Sequence, residues 1–223
     1  MAISIDPFRL FLQKYRTRKF EKGEIILVQG ETPECMYVIK KGVVKTYNLT
    51  SGGEEKPLGF DIKGDIFPIA WAFGQVNPVT YYYEAFTDCD LYCVPREDYR
   101  NFITKNTDRL YGVLENMVAQ NTFYQLRVNA LEQSKAANKI LNTIHFLCLS
   151  YGTDLKPHTV RIEIPLTQQD LANFMGLTRE TTGIELKKLQ RSGVLTYKKQ
   201  NYIVRTDRLN ELLDEEYDMH RLK

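Results

Sequence analysis

The sequence has little of what enzymes and exported proteins usually carry. Its three histidines, His145, His158 and His220, are scattered. No nucleophile–histidine–acid set and no phosphate-cradling glycine loop accompanies them, so an enzyme reading has little to stand on. The four cysteines are Cys35, Cys89, Cys93 and Cys148. They form no CxxC pair and no N-terminal cluster, so zinc and iron–sulfur sites lack their usual spacing, and no metal is expected. Cys89 and Cys93 would share one face of a strand, which admits a metal or redox pair. Buried, reduced thiols are the commoner use of cysteine in a cytosolic chain, and that is the reading taken here. No apolar run approaches the ~20 residues of a membrane-spanning helix. The opening "MAISIDPFRLFLQKYRTRKF" shows neither a long apolar stretch nor a small-residue cleavage signal. A cytoplasmic protein with no membrane partner is expected.

What is present points to two domains, since 223 residues exceed what one compact core usually needs. Charge is unevenly spread. Residues 1–133 carry a balance of −1, residues 134–205 one of +6, and residues 206–223 one of −3. A basic block between near-neutral and acidic segments is what a phosphate-facing domain would show, although a solvated surface can show it too.

Residues from about 20 to 95 read as all-β. "EIILVQG", "CMYVIKKGVVKTYNL" and "DLYCVP" are rich in Val, Ile and Tyr and are broken by Gly or Pro. "TSGGEE" (Thr50–Glu55) is a hairpin turn, and many short strands with glycine punctuation suggest a small barrel or jelly roll. A short helix is expected over Ile3–Tyr15. From Asn106 to about Gln133 the period changes: Leu110, Leu114, Met117, Asn121, Tyr124, Val128 and Leu131 step alternately by four and three. That heptad seam suits a long helix paired in parallel with its own copy, and Asn121 in mid-seam can fix the register. A lone helix packed on the barrel can show the same stripe. A break at "SKAANK" leads to a helix over Ala136–Ser150, on which His145 reads as structural. "YGTDLKPHTVRIEIP" then reads as a loop and a short strand.

The most specific segment is "LTQQDLANFMGLTRETTGIELKKLQRSGVLTYKKQNYIVRT". Thr167 can cap a helix with Asp170 three places on, and Gly176 can end it in the left-handed conformation. Thr178 caps the next helix, whose inner face is Leu186 and Leu189. Helix, tight glycine turn and helix is helix-turn-helix spacing, and "VLTYKKQNYIVRT" follows as a two-stranded wing. A recognition helix reads the DNA major groove with its N-terminal residues. Arg179 can donate two hydrogen bonds to guanine and Glu180 can accept from cytosine; Thr181, able to bond phosphate or base, and Ile184 are the further base-reading candidates. Lys187, Lys188, Lys198 and Lys199 suit phosphates, and Gln168, Gln169 and Thr178 can join them. The partner expected is double-stranded DNA.

On these residues the whole chain resembles the cyclic-AMP receptor / fumarate-nitrate reduction regulator (CRP/FNR) family of bacterial transcription factors. The resemblance is carried by "FEKGEIILVQGE", "MYVIKKGVVK" and "GDIF" in the barrel, then the long helix, then "LTQQDLANFMGLTRETTGIELKKLQRSGVL". It implies an α+β protein: an effector-binding jelly-roll barrel, a dimerising helix and a winged helix-turn-helix, with RNA polymerase a further partner. Arg179 and Glu180 match the family's Arg-Glu pair. Two departures stand out. Where the family usually has a second arginine, this chain has Ile184, which cannot bond guanine but can touch a thymine methyl group. Where cyclic-nucleotide binders carry Gly-Glu and Arg-Ser pairs, this chain has Pro68–Ile69 and Val79–Thr80. A cyclic phosphate buried without its arginine is an expensive unpaired charge, so cyclic AMP is not the expected effector. Trp71, Phe73, Thr80, Tyr81, Tyr82 and Tyr83 can line a pocket for a planar ligand or serve equally as barrel core and surface. The histidine and cysteine positions disfavour a haem or iron–sulfur sensor.

The resulting division is a barrel over residues 1–105, a dimerisation helix over 106–133 and a DNA-binding domain over 134–223. A second reading keeps this architecture but docks a protein partner on the C-terminal domain, and Ile184 is the residue that favours it.

Overall fold

The computed structural model describes residues 7–75 and 77–221. The chain divides into two compact units, Met1–Glu115 and Asn116–Lys223.

The first unit opens with helix α1 (Pro7–Leu12); residues 3–6 of the expected helix lie outside the described residues. Eight strands follow: β1 (Thr17–Phe20), β2 (Ile25–Leu27), β3 (Met36–Lys41), β4 (Val44–Leu49), β5 (Glu55–Asp61), β6 (Ile66–Phe67), β7 (Tyr82–Ala85) and β8 (Cys89–Val94). They form two four-stranded antiparallel sheets, ordered β1-β8-β3-β6 and β2-β7-β4-β5. Alternation along each strand sends one set of side chains between the sheets. Phe20, Tyr37, Ile39 and Leu91 from the first sheet meet Leu27, Val44 and Ala85 from the second there. The opposite face of the first sheet, with Met36, Val38 and Val94, packs on α1, on α2 (Ile69–Ala72) and on α3 (Arg96–Thr104) through Phe8, Phe11, Trp71, Tyr99 and Ile103.

Among the described residues, no helix cluster of this kind lies on the second sheet's outer face. Lys45 pairs there with Glu55 at 2.6 Å and Glu84 at 3.2 Å, and its ammonium lies 4.5 Å from the centre of the Tyr47 ring. Its side chain is only 10% exposed, so two carboxylates offset the cost of burying it.

The cysteines depart from the expectation of free thiols. Cys35 and Cys93 form a disulfide, while Cys89 and Cys148 are free and buried. The β3–β8 register explains the pairing: Tyr37 lies opposite Cys93 and Met36 opposite Val94. Cys35 is therefore diagonal to Cys93 on the inner face, a proximity that a sequence separation of 58 conceals.

Helix α4 runs from Thr107 to Glu132 and contributes to both units. In the second unit α5 (Ala136–Tyr151) buries Ile140, Leu141, Ile144, Phe146 and Leu147. The segment read as a loop and one strand is a hairpin of two, β9 (Gly152–Lys156) and β10 (Thr159–Ile162). Every β9 residue is exposed, so it has no apolar alternation to announce it. Helices α6 (Gln168–Met175) and α7 (Arg179–Arg191) precede the wing strands β11 (Leu195–Lys198) and β12 (Asn201–Arg205), in a sheet ordered β11-β12-β10-β9. The acidic tail is helix α8 (Thr206–Arg221), which buries Leu209 and Leu213; residues 222–223 and the side chain of His220 lie outside the described residues.

Candidate nucleic-acid interface

The interface is built from two caps and a turn. Thr167 and Asp170 make a reciprocal capping box at the start of α6: the Asp170 amide donates to Thr167 Oγ1 at 3.0 Å and the Thr167 amide to Asp170 Oδ2 at 2.8 Å. Gly176 ends α6 with φ 65°, a left-handed conformation that favours glycine. Thr178 then starts α7, accepting from the Thr181 amide at 3.1 Å, a cap whose removal typically costs ~1 kcal/mol. The inner face of α7 buries Thr182 and Leu186.

With the inner face held, the first turn projects outward. Arg179 and Glu180 are exposed, and so is Ile184 one turn on, at 50%. A single half-exposed apolar side chain is ordinary on a protein surface, and Ile184 is singled out only by its place beside Arg179 and Glu180. Lys187 and Lys188 are exposed further along α7, with Lys188 pairing Glu185 at 2.7 Å. Lys198 and Lys199 stand exposed at the wing tip, where Lys199 takes φ 56° to close the turn.

The polar residues assigned to DNA are partly engaged within the protein. The Thr178 hydroxyl donates to the Thr181 hydroxyl at 2.8 Å, so both act first in the cap. Gln169 donates to Asn173 Oδ1 at 2.8 Å. Gln168 donates to the Tyr197 hydroxyl at 3.3 Å, joining the start of α6 to wing strand β11. A Cβ at Gly183 would stand 3.3 Å from Gln168 Oε1, so glycine leaves room for this link beside the recognition helix. Tyr197 was not foreseen; its place on the inward side of a wing strand was the signal available.

Sequence reasoning also passed over Arg127, near the C-terminal end of α4. Its guanidinium is buried, lies 3.3 Å from the centre of the Phe174 ring and donates to the Phe174 carbonyl at 3.1 Å. The seam residues Leu110, Leu114, Met117, Asn121, Tyr124, Val128 and Leu131 are all exposed along α4.

The aromatic residues proposed for an effector pocket do not converge. Trp71 is buried in the outer helix cluster with Arg96 over its ring, and Phe73 packs edge-on to Tyr99 in the same cluster. Tyr83 stacks on Phe67 inside the barrel, while Tyr82 stacks on Tyr47. Tyr81 and Thr80 are exposed. Alternation sends consecutive strand residues to opposite faces, so three tyrosines in a row cannot line one pocket. Of the positions that replace the nucleotide-binding pairs, Val79 is buried in the outer cluster. On strand β5, Asp61 accepts from the Thr46 hydroxyl at 3.0 Å. Burial, reinforced by neighbouring Asp65, pushes Asp61 up to about 7.

Comparison with known proteins agrees with this geometry. The cyclic nucleotide-binding domain family matches residues 17–106, and the Crp-like helix-turn-helix domain family matches residues 143–212. The global nitrogen regulator of Synechococcus elongatus is 24% identical over 187 residues, covering 83% of this chain and 84% of that one. The cAMP-activated global transcriptional regulator CRP of Salmonella typhimurium is 25% identical over 192 residues, covering 86% and 90%. The CooA mutant structure from Carboxydothermus hydrogenoformans superposes with a TM-score of 0.74 at 17% identity, covering 95% of this chain and 93% of that one. A cyclic nucleotide-binding-type β domain followed by a Crp-like helix-turn-helix is the architecture of a DNA-binding transcription regulator. The chain belongs to the CRP/FNR family of transcription regulators, a family of DNA-binding proteins and not of enzymes. Among the described residues no helix is long and apolar enough to cross a membrane.

Proposed function

We propose that the protein acts as a homodimer that reads a palindromic DNA site, and that an effector other than cyclic AMP gates it. The observation that carries the reading is the capped start of α7, which presents Arg179 and Glu180 in its first turn and Ile184 one turn on to solvent together. Arg179 reads guanine, Glu180 reads cytosine, and Ile184 meets a thymine methyl where an arginine would demand guanine. The exposed α4 seam supports pairing with a second copy, because Leu110, Leu114, Met117, Tyr124, Val128 and Leu131 would otherwise leave one apolar stripe in water. Two copies related by a twofold axis place their recognition helices on two half-sites. Lys187, Lys188, Lys198 and Lys199 neutralise phosphates, with Gln168, Gln169 and Thr178 as polar neighbours. RNA polymerase is the natural second partner of such a regulator. The effector reading rests on Pro68, Ile69, Val79 and Thr80, which offer no cation to a cyclic phosphate.

Fluorescence anisotropy of the purified protein tests the reading. One duplex is a palindrome selected from a random library, the other a scrambled control, and both are titrated over salt. Selective binding with a steep salt slope is expected. Equal binding of both duplexes, with and without added cell metabolites, would sink it. Sedimentation as a monomer at micromolar concentration would remove the dimer.

A further inference from the structure

We infer that Arg127 is a positioning residue that sets the angle between helix α4 and the helix-turn-helix, and thereby the spacing of the two half-sites the dimer accepts. The inference rests on the dimeric DNA-reading proposal above.

Arg127 projects from α4 between the exposed seam residues Tyr124 and Val128, but its own side chain turns inward and is 8% exposed. It ends on Phe174, in the last turn of α6. The guanidinium carbon stands 3.3 Å from the ring centre and Nη2 donates to the carbonyl at 3.1 Å. Burial lowers Arg127 to about 10, so it is still a cation at neutral pH, placed where a helix C-terminus favours positive charge. The neighbouring carbonyls of Ala172 and Asn173 accept from the cap amides of Gly176 and Leu177. One arginine from α4 thus joins the group of contacts that closes α6, two residues before the turn into the recognition helix. Phe174 is itself buried and stacks on Phe146 of α5, so the ring that meets the guanidinium is held in place. A flat cation on a fixed ring, with a directed hydrogen bond, defines an angle as well as a distance. The seam on the other side of the same turns of α4 would meet the partner copy. An angle set here is therefore repeated across the dimer axis.

The test separates positioning from folding. Three duplexes carry the selected palindrome, the same half-sites moved apart by one base pair, and a single half-site. Each added base pair rotates one half-site by about 34° relative to the other, so a rigid dimer should discriminate by about tenfold or more. Arg127→Met is expected to lower that discrimination to about threefold or less while single half-site affinity changes by less than about twofold. Arg127→Lys, which retains charge and donor but loses the flat face, is expected to fall between. Circular dichroism melting confirms folding, and if the Met variant does not fold, the Lys variant carries the test. Wild-type spacing discrimination in the folded variants overturns the inference. So does an equal loss on all three duplexes, which marks a merely structural arginine. If the wild-type protein itself ignores spacing, the dimeric reading fails first and takes the inference with it.

Discussion

The two units carry their chemistry at different ranges along the chain. In the unit Asn116–Lys223 the residues proposed to read DNA stand at the start of α7, and the groups that hold that start are its own cap and the turn before it: Thr178, Thr181 and Gly176. In the unit Met1–Glu115 the contacts that matter here are made across paired strands or between residues far apart in sequence. Lys45 finds Glu84 across β4–β7 and Glu55 across β4–β5, Thr46 finds Asp61, and Cys35 finds Cys93. A local device can be changed one residue at a time with local effect. A device assembled across strands cannot, because each member leaves a partner behind.

That contrast is open to direct attack. The largest effect is expected from Lys45→Ala, which leaves Glu84 without its cation in a mostly buried position and should destabilise the barrel by about 3 kcal/mol. Thermal melting of the full chain checks it; a change below about 0.5 kcal/mol would mean that the cluster is no more than a surface ion pair. Arg179→Ala should leave melting unchanged but lose ~1–3 kcal/mol of discrimination at one base pair per half-site, read by binding to single-base-pair variants of the selected palindrome.

A smaller effect is expected from pH. Asp61, held up at about 7 by burial and by Asp65, has an ordinary carboxyl pKa when the chain unfolds. The folded barrel therefore binds more protons than the unfolded chain between about pH 4 and pH 7, and its stability falls as pH rises through that window. Asp61→Asn should remove that dependence, up to about 2.5 kcal/mol between pH 5 and pH 7.5, measured by melting at the two values. Thr178→Ala should cost ~1 kcal/mol in the second unit and weaken DNA binding by loosening the first turn of α7. An unchanged melt would show that the Thr178–Thr181 cap is dispensable.

Legibility from sequence follows the same division. The capping box of Thr167 and Asp170, the left-handed Gly176 and the cap at Thr178 were all readable, since each is a contact between near neighbours with its own residue preference. The barrel was readable as a class from its short strands and glycines, but not in its pairings. Tyr81, Tyr82 and Tyr83 look like one aromatic wall in the sequence, yet Tyr82 and Tyr83 stack on partners on opposite faces of their sheet. The disulfide was missed because nothing near Cys35 announces Cys93. Arg127 was hidden for another reason: it sits among seam positions, and only the folded chain shows that it turns away from them toward Phe174.

The α4 seam has a consequence for the shape of a paired protein. Leu110 and Leu131 are three seven-residue repeats apart. On a straight α-helix such a stripe drifts by ~20° per repeat, so its two ends would point about 60° apart. Two straight rods could not keep both ends in contact. Copies that pair along the whole seam must wind about each other in a left-handed supercoil, and the handedness of the pair is thus already written in the alternating four and three.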